Sequence, residues 1–147
     1  MESKESEESK EGQGLRAAEG YAGDVTPILA YTWWQSEDAL LVDVRTDAER
    51  EWVGFIPDTL HVRWKQWPGM ELNANFDADL LAAVVKEKKV LFICRSGIRS
   101  AAAARRATEL GLEAYNVLEG FEGDLDAQSH RGTLGGWRMR DLPWQQG

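Results

Sequence analysis

The sequence predicts an α/β fold: a parallel sheet covered by helices on both faces. Three observations lead there. The wholly apolar runs Ala39-Leu40-Leu41-Val42 and Val90-Leu91-Phe92-Ile93 read as strands buried on both sides. Segments with helix start and stop signals lie between the runs. Strand and helix alternate, and parallel neighbours need such crossovers. The length of 147 residues fits one domain, and 43% hydrophobic with 29% charged residues supports a core.

Each element has its own signal. Thr26-Pro27 reads as an N-cap with proline in the first turn, opening a helix to about Gln35. Residues 39–44 form the first long strand. Asp47 is expected to cap a helix running to Val53, with Glu49 in its first turn and Gly54 as its stop. Thr59–Val62 is a short strand. Trp64–Phe76 reads as a long loop around Pro68-Gly69. Asp77 is expected to cap a helix with Leu80, Leu81, Val84 and Val85 on its apolar face. Residues 90–93 form a third strand, Ser100–Leu110 an alanine-rich helix stopped by Gly111, and Ala114–Leu118 a fourth strand. The remainder is irregular, with one short helix expected near Phe121–Ala127.

Residues 1–12 hold five Glu, two Lys and three Ser, and no aliphatic residue beyond Met1. Such a stretch cannot offset its ordering entropy by burial, so residues 1–23 are expected to form a disordered acidic tail and residues 24–147 the folded domain. The N-terminus lacks the apolar region of a secretory signal and is too acidic for a transit peptide. No apolar run is long enough to span a membrane. The net charge of -8 argues against nucleic acid as a partner. The single cysteine, Cys94, excludes an intramolecular disulfide and a multi-cysteine metal site, and a cytoplasmic location is expected.

The chemistry concentrates in Cys94-Arg95-Ser96-Gly97-Ile98-Arg99-Ser100. A buried strand delivers Cys94 to the carboxyl edge of the sheet, where ligands of open α/β sheets bind. A turn with Gly97 follows, then a helix start. Backbone N–H groups there lack internal partners and can cradle an anion. The same field favours thiolate over thiol and makes Cys94 a nucleophile. Arg95 and Arg99 add fixed charge and bidentate donors. A lone cysteine at a strand end is commonly just a small buried hydrophobe. Two arginines and a glycine in a strand–turn–helix context shift the reading to catalysis.

This loop resembles the active-site loop of the rhodanese-type sulfurtransferases, C-R-x-G-x-R/T. Leu41-Val42-Asp43-Val44-Arg45 is similar to the family's D-V-R strand end. Gly54-Phe55-Ile56-Pro57-Asp58-Thr59 is similar to its G-H-I-P-G-A turn, with Phe55 in place of His. Asn116-Val117-Leu118-Glu119-Gly120 resembles its N-L-x-G-G stretch, with Phe121 for the second Gly. Trp137 and Leu142-Pro143 resemble its closing W…G-L-P. The resemblance implies a rhodanese-like three-layer α/β/α sandwich around a five-stranded parallel sheet.

It also implies an activity. Cys94 takes a sulfane sulfur from thiosulfate or a related donor, forms a persulfide, and passes the sulfur to a thiophilic acceptor (cyanide in vitro, thiols or a protein acceptor in vivo). Cys94 is the catalytic residue. Arg95, Ser96, Gly97, Ile98, Arg99 and Ser100 bind substrate, with the two arginines on the donor's sulfonate. No metal or organic cofactor is expected. The alternative is a protein persulfide carrier or interaction module with low intrinsic thiosulfate activity. A phosphatase or arsenate reductase on the same fold is a third reading, although cysteine phosphatases place an arginine six positions after the nucleophile and Ser100 stands there. Asp43 and Arg45 read as braces between loops, for instance Arg45 with Glu49, or as electrostatic aids at the pocket. Residues 122–135 read as an insertion, either a flap over the pocket or a surface loop. Trp64 or Trp67 is expected to border the cleft.

Overall fold

The computed structural model describes residues 14–66 and 68–146. Its sheet has six strands. Five run parallel, in the order β2 (Gly23–Val25), β8 (Ala114–Val117), β7 (Lys89–Ile93), β3 (Ala39–Asp43) and β4 (Leu60–His61). The sixth, β1 (Leu15–Arg16), adds antiparallel to β2 at the edge. The sheet is therefore one antiparallel strand wider than the expected five-stranded parallel sheet.

That edge strand also moves the expected domain boundary. Leu15 and Arg16 pair with Val25 and Asp24, and Thr26 N–H donates to the Gly14 carbonyl at 2.8 Å. Gly23 permits the close pairing, because a Cβ there would fall 2.7 Å from Leu15 Cδ1. The described body thus reaches back to Gly14, and a break between residues 23 and 24 would cut β2. The acidic stretch 1–13 lies outside the described residues.

The helices are α1 (Pro27–Gln35), α2 (Asp47–Val53), α3 (Phe76–Ala83) and α4 (Ile98–Glu109). On one face of the sheet, Val42, Val90 and Phe92 pack against Ala103, Ala104 and Ala107 of α4 and Phe76 and Leu80 of α3. On the other face, Leu41, Leu91, Ile93 and Val117 meet Ala30 of α1 and Phe121, Trp137 and Leu142 of the C-terminal segment. Neighbours along a strand point to opposite faces, so each central strand feeds both cores. The long alanine run of α4 lets its backbone lie close to the sheet.

Several element details differ from expectation. Thr26 caps α1 as expected, its hydroxyl accepting from Leu29 N–H. The cap of α2 is Thr46 rather than Asp47, in a reciprocal capping box with Glu49. α3 starts two residues earlier, capped at Asn75 rather than Asp77, and ends at Ala83, so Val84 lies in extended backbone and Leu81 and Val85 face solvent. The loop at 64–76 contains a hairpin of β5 (Lys65–Gln66) and β6 (Glu71–Leu72). No helix forms at Phe121–Ala127, where turns hold the chain against the loop after β7.

Candidate active site

Cys94 follows directly on β7, in the middle of the parallel sheet, and is 1% exposed. The backbone then turns sharply. Gly97 has φ of 115°, a left-handed value that a side chain would strain, and it opens α4. The turn folds back so that Gly97 N–H donates to Cys94 Sγ at 3.1 Å. Ser100, in the first turn of α4, brings its Oγ to 3.2 Å from the same sulfur. The N–H groups of that first turn have no intrahelical acceptor, and the positive end of the helix dipole lies beside the sulfur.

A second turn supports the loop from behind. Phe121 and Glu122 N–H groups donate to the carbonyls of Cys94 and Arg95 at 2.8 and 2.9 Å. Gly120 makes this approach feasible, since a Cβ there would lie 2.5 Å from the Arg95 carbonyl carbon. The C-terminal segment clasps this turn in its own right. Trp137 N–H donates to Gly120 O, and the Glu119 carboxylate accepts from Gly136 N–H and pairs with Arg140.

Above the sulfur opens a cleft of about 530 Å³, lined by Thr46, Glu49 and Val53 from the α2 region, Lys65 and Met70 from the hairpin, the Cys94–Arg99 loop and Glu122. The two loop arginines differ. Arg99 donates from both terminal nitrogens to Glu49, at 2.6 and 2.7 Å. Burial alone would raise the Glu49 carboxyl. Its hydrogen bonds and charge pairing with Arg99, and those with Thr46, hold it down at about 2. Arg95 is exposed, and its guanidinium has no ion-pair partner among the described residues. With Glu49 and Arg99 cancelling, Arg95 and Lys65 leave the mouth of the cleft locally basic in an acidic chain. Ser96 is half-buried beside the sulfur, and Ile98 stands 80% exposed at the rim.

A profile of the rhodanese-like domain matches residues 27–127. The chain belongs to this family. The solved structure of Rv0390 from M. tuberculosis superposes on it with a TM-score of 0.79 at 45% identity, covering 86% of this chain and 99% of that one. Uncharacterized protein RP600 of Rickettsia prowazekii is 36% identical over 114 residues, 75% of this chain and 85% of its own. A protein of Allochromatium vinosum named sulfurtransferase is 32% identical over 108 residues, 74% of this chain and 79% of its own.

The other residues singled out in the sequence find different places in the rhodanese-like domain. Asp43 and Arg45, both fully buried, pair with each other at 2.8 Å, and Arg45 also donates to Gly54 O. Arg45 therefore does not pair with Glu49, which Arg99 holds. The Arg45 guanidinium lies 4.2 Å over the Phe121 ring, so the residue replacing the family's second glycine packs onto the brace. His61 donates from Nε2 to the Arg45 carbonyl at 2.7 Å, and burial pushes its pKa down. Neither histidine lines the cleft. Trp64 turns inward, edge-on to Phe76, and Trp67 lies outside the described residues. Of residues 122–135 only Glu122 reaches the cleft; Asp126 draws in the Gln128 and His130 N–H groups and the Thr133 hydroxyl, closing the loop on itself. Among the described residues no cluster of acidic, histidine and cysteine side chains could hold a metal ion, and no helix is long and apolar enough to cross a membrane.

Sequence reasoning missed Glu49 as the holder of Arg99, Lys65 and Met70 as cleft walls, and Asn116 and Asp24 beneath the sulfur. Thr46-x-x-Glu49 is a legible capping box, so one signal was present. The others depend on register and on the hairpin's fold-back.

Proposed function

We propose that this rhodanese-like domain is a sulfurtransferase working through a Cys94 persulfide, with thiosulfate or a related anion as sulfur donor. The observation that carries the reading is the placement of Cys94 Sγ. It lies at the foot of a cleft, receives the Gly97 N–H, and has the unpaired Arg95 beside it. The Cys94 thiolate attacks the sulfane sulfur of thiosulfate. The S–S bond of the donor breaks, its electron pair leaves with sulfite, and Cys94–S–S⁻ remains. A thiophile, cyanide or a thiolate, then attacks the outer sulfur and releases the Cys94 thiolate. Both steps conserve charge and need no external oxidant or reductant. Loop N–H groups and the helix dipole lie where the persulfide's charge would develop. Intact mass measured before and after thiosulfate tests the reading. A gain of one sulfur atom, absent in Cys94→Ser, is the expected result; no gain at saturating donor would overturn thiosulfate as the donor.

One observation favours a second reading, a protein persulfide carrier. The cleft is wide for so small an anion, and Ile98 stands exposed at its rim with Met70 and Val53 in the walls. Such an apolar margin suits a polypeptide donor or acceptor. Loading rates with thiosulfate and with a persulfidated protein decide between the two. Comparable or faster loading from thiosulfate would remove the carrier reading.

A further inference from the structure

A chain of hydrogen bonds runs from the sulfur away from the cleft. Cys94 Sγ and Ser100 Oγ are 3.2 Å apart. Ser100 Oγ donates to Asn116 Oδ1 at 2.5 Å, Asn116 Nδ2 donates to Asp24 Oδ1 at 2.9 Å, and the Tyr21 hydroxyl donates to the same oxygen at 2.7 Å. Four elements meet here: the loop after β7, the first turn of α4, β8, and β2 with Tyr21 two residues before it. Asn116 and Asp24 sit opposite each other in the β2–β8 register. Ser100 is fully buried and Asn116 nearly so, so the Ser100–Asn116 bond has no competing water, whereas Asp24 and Tyr21 are half-buried.

The chain has a direction, and Asp24 sets it. A carboxylate only accepts, so the Asn116 end facing it must be the NH₂. The Asn116 carbonyl oxygen therefore faces Ser100. Ser100 owns one hydroxyl proton and gives it to that oxygen. What Ser100 offers the sulfur is a lone pair. The thiol of Cys94 can donate into it. Once the proton has gone to solvent, the thiolate faces that lone pair, and its donor is the Gly97 N–H.

We infer that Asp24 is a positioning residue: through Asn116 it turns the Ser100 hydroxyl away from Cys94 and keeps negative charge on Sγ less stabilised than charge on the sulfur one bond further out. A persulfide's outer sulfur, carrying the charge, lies beyond Ser100's reach, toward the loop N–H groups. The bare thiolate is left more nucleophilic, because nucleophilicity falls as a thiolate is stabilised. The inference rests on reading Cys94 as the nucleophile. The other charged groups facing this sulfur are the Glu49–Arg99 pair, Arg95, Lys65 and Glu122, all on the cleft side. Tyr21, raised to about 12 by burial and by its bond to Asp24, stays a donor throughout the working range.

The test is the rate of Cys94 alkylation by iodoacetamide against pH, which needs no sulfur donor and so fails separately from the persulfide reading. Asp24→Asn can present its own NH₂ to Asn116. The amide then flips, Asn116 donates to Ser100, and Ser100 donates to the thiolate. The expected result has two opposite parts. The neutral-pH rate rises about threefold, the net of a roughly tenfold larger thiolate fraction, as one added hydrogen bond to a charged group allows, and the lower reactivity of each thiolate. The plateau at high pH falls about threefold, as the shallow dependence of thiolate reactivity requires. A merely structural defect would not move the two ends in opposite directions. Tyr21→Phe leaves Asp24 an acceptor and should leave the profile unchanged; a shift equal to that of Asp24→Asn overturns the inference. Ser100→Ala supplies the sign without any flip. Removing a lone pair raises the neutral-pH rate, whereas removing a donor would lower it, and a lowered rate overturns the assignment.

Discussion

Two neighbouring strands of the sheet end side by side in polar residues, and the two ends are built in opposite ways. β3 ends in Asp43 and, beyond it, Arg45. There the Asp43 carboxylate accepts from Arg45, with Arg50 at 3.3 Å, and Arg45 also binds Gly54 O and stacks on Phe121. β7 ends in Cys94 and Arg95. There the sulfur meets one backbone N–H and one hydroxyl, and Arg95 is open to solvent. Charged groups paired with one another inside the fold stiffen it, even though Arg45 Nη1 and Arg50 Nε are buried without a hydrogen bond; a guanidinium with no ion-pair partner is available to a ligand. The register explains the contrast. β3 is flanked by β4 and the α2 cap region, which supply partners, whereas the loop after β7 turns upward into α4 and leaves a cleft.

Removing the thiol from the open end should have the largest effect. Cys94→Ser should abolish sulfur loading while the melting temperature stays within a few degrees, since the site is small and oxygen keeps the hydrogen bonds. Turnover of thiosulfate by this variant would end the persulfide reading. At the closed end the expected loss is in stability. Asp43→Ala leaves Arg45 buried and unpaired, and removing one partner of a buried ion pair costs about 3–5 kcal/mol. Urea unfolding measures it. A change under about 1 kcal/mol would mean the arginines find other acceptors.

The two loop arginines sharpen the contrast within one motif. Arg95→Ala should lower kcat/KM for an anionic donor by roughly ten- to a hundredfold, the worth of one charge-assisted hydrogen bond, with little change in unfolding. Arg99→Ala should do the reverse, because its guanidinium is engaged by Glu49. Glu49 sits at about 2, below its ordinary 4.5, so the pair stabilises the fold fully above about 4.5 and that share is lost as pH falls toward 2. The acid limb of wild-type stability should therefore be steeper than that of Arg99→Ala. Equal limbs, with a large loss of donor use in Arg99→Ala, would return Arg99 to the substrate.

What was legible in the sequence follows from range. β3 and β7 are continuous apolar runs, and Thr26-Pro27 carries its cap within four residues, so local pattern suffices for them. The Cys94 loop is also local: strand, glycine and helix lie within one stretch. β1 was hidden because two residues have no periodicity, and it exists only through pairing with β2. The hairpin at β5 and β6 was hidden for the same reason. Arg99 and Glu49 meet across 50 residues, and Ser100 and Asn116 across 16, through the sheet register. No local signal reports which of two arginines keeps a guanidinium without an ion-pair partner; Glu49, 50 residues away from Arg99, makes that choice.

The smallest expected effect is hydrolysis of an aryl phosphate, which should not rise above background. Phosphoryl transfer needs a nest around three oxygens and a guanidinium free to bracket them. The sixth residue after Cys94 is Ser100, which points inward to the sulfur and Asn116. The fifth is Arg99, held by Glu49. A leaving phenoxide also needs a proton donor. Glu49 is the carboxyl that pairs with the loop, through Arg99, and at about 2 it is unprotonated at neutral pH and cannot serve as a general acid. Glu122, the other acidic group of the cleft, lies 4.0 Å from Arg138. Phenyl phosphate should thus be hydrolysed at equal, background rates by wild type and Cys94→Ser. A residue inserted between Gly97 and Arg99 is the complementary test. It would widen the nest and pull Arg99 out of line with Glu49, so it should damage sulfur loading, and any phosphate turnover should first appear there. Cys94-dependent turnover in the wild type would instead mean that the open end of β7 accepts a tetrahedral phosphate with its short loop unchanged.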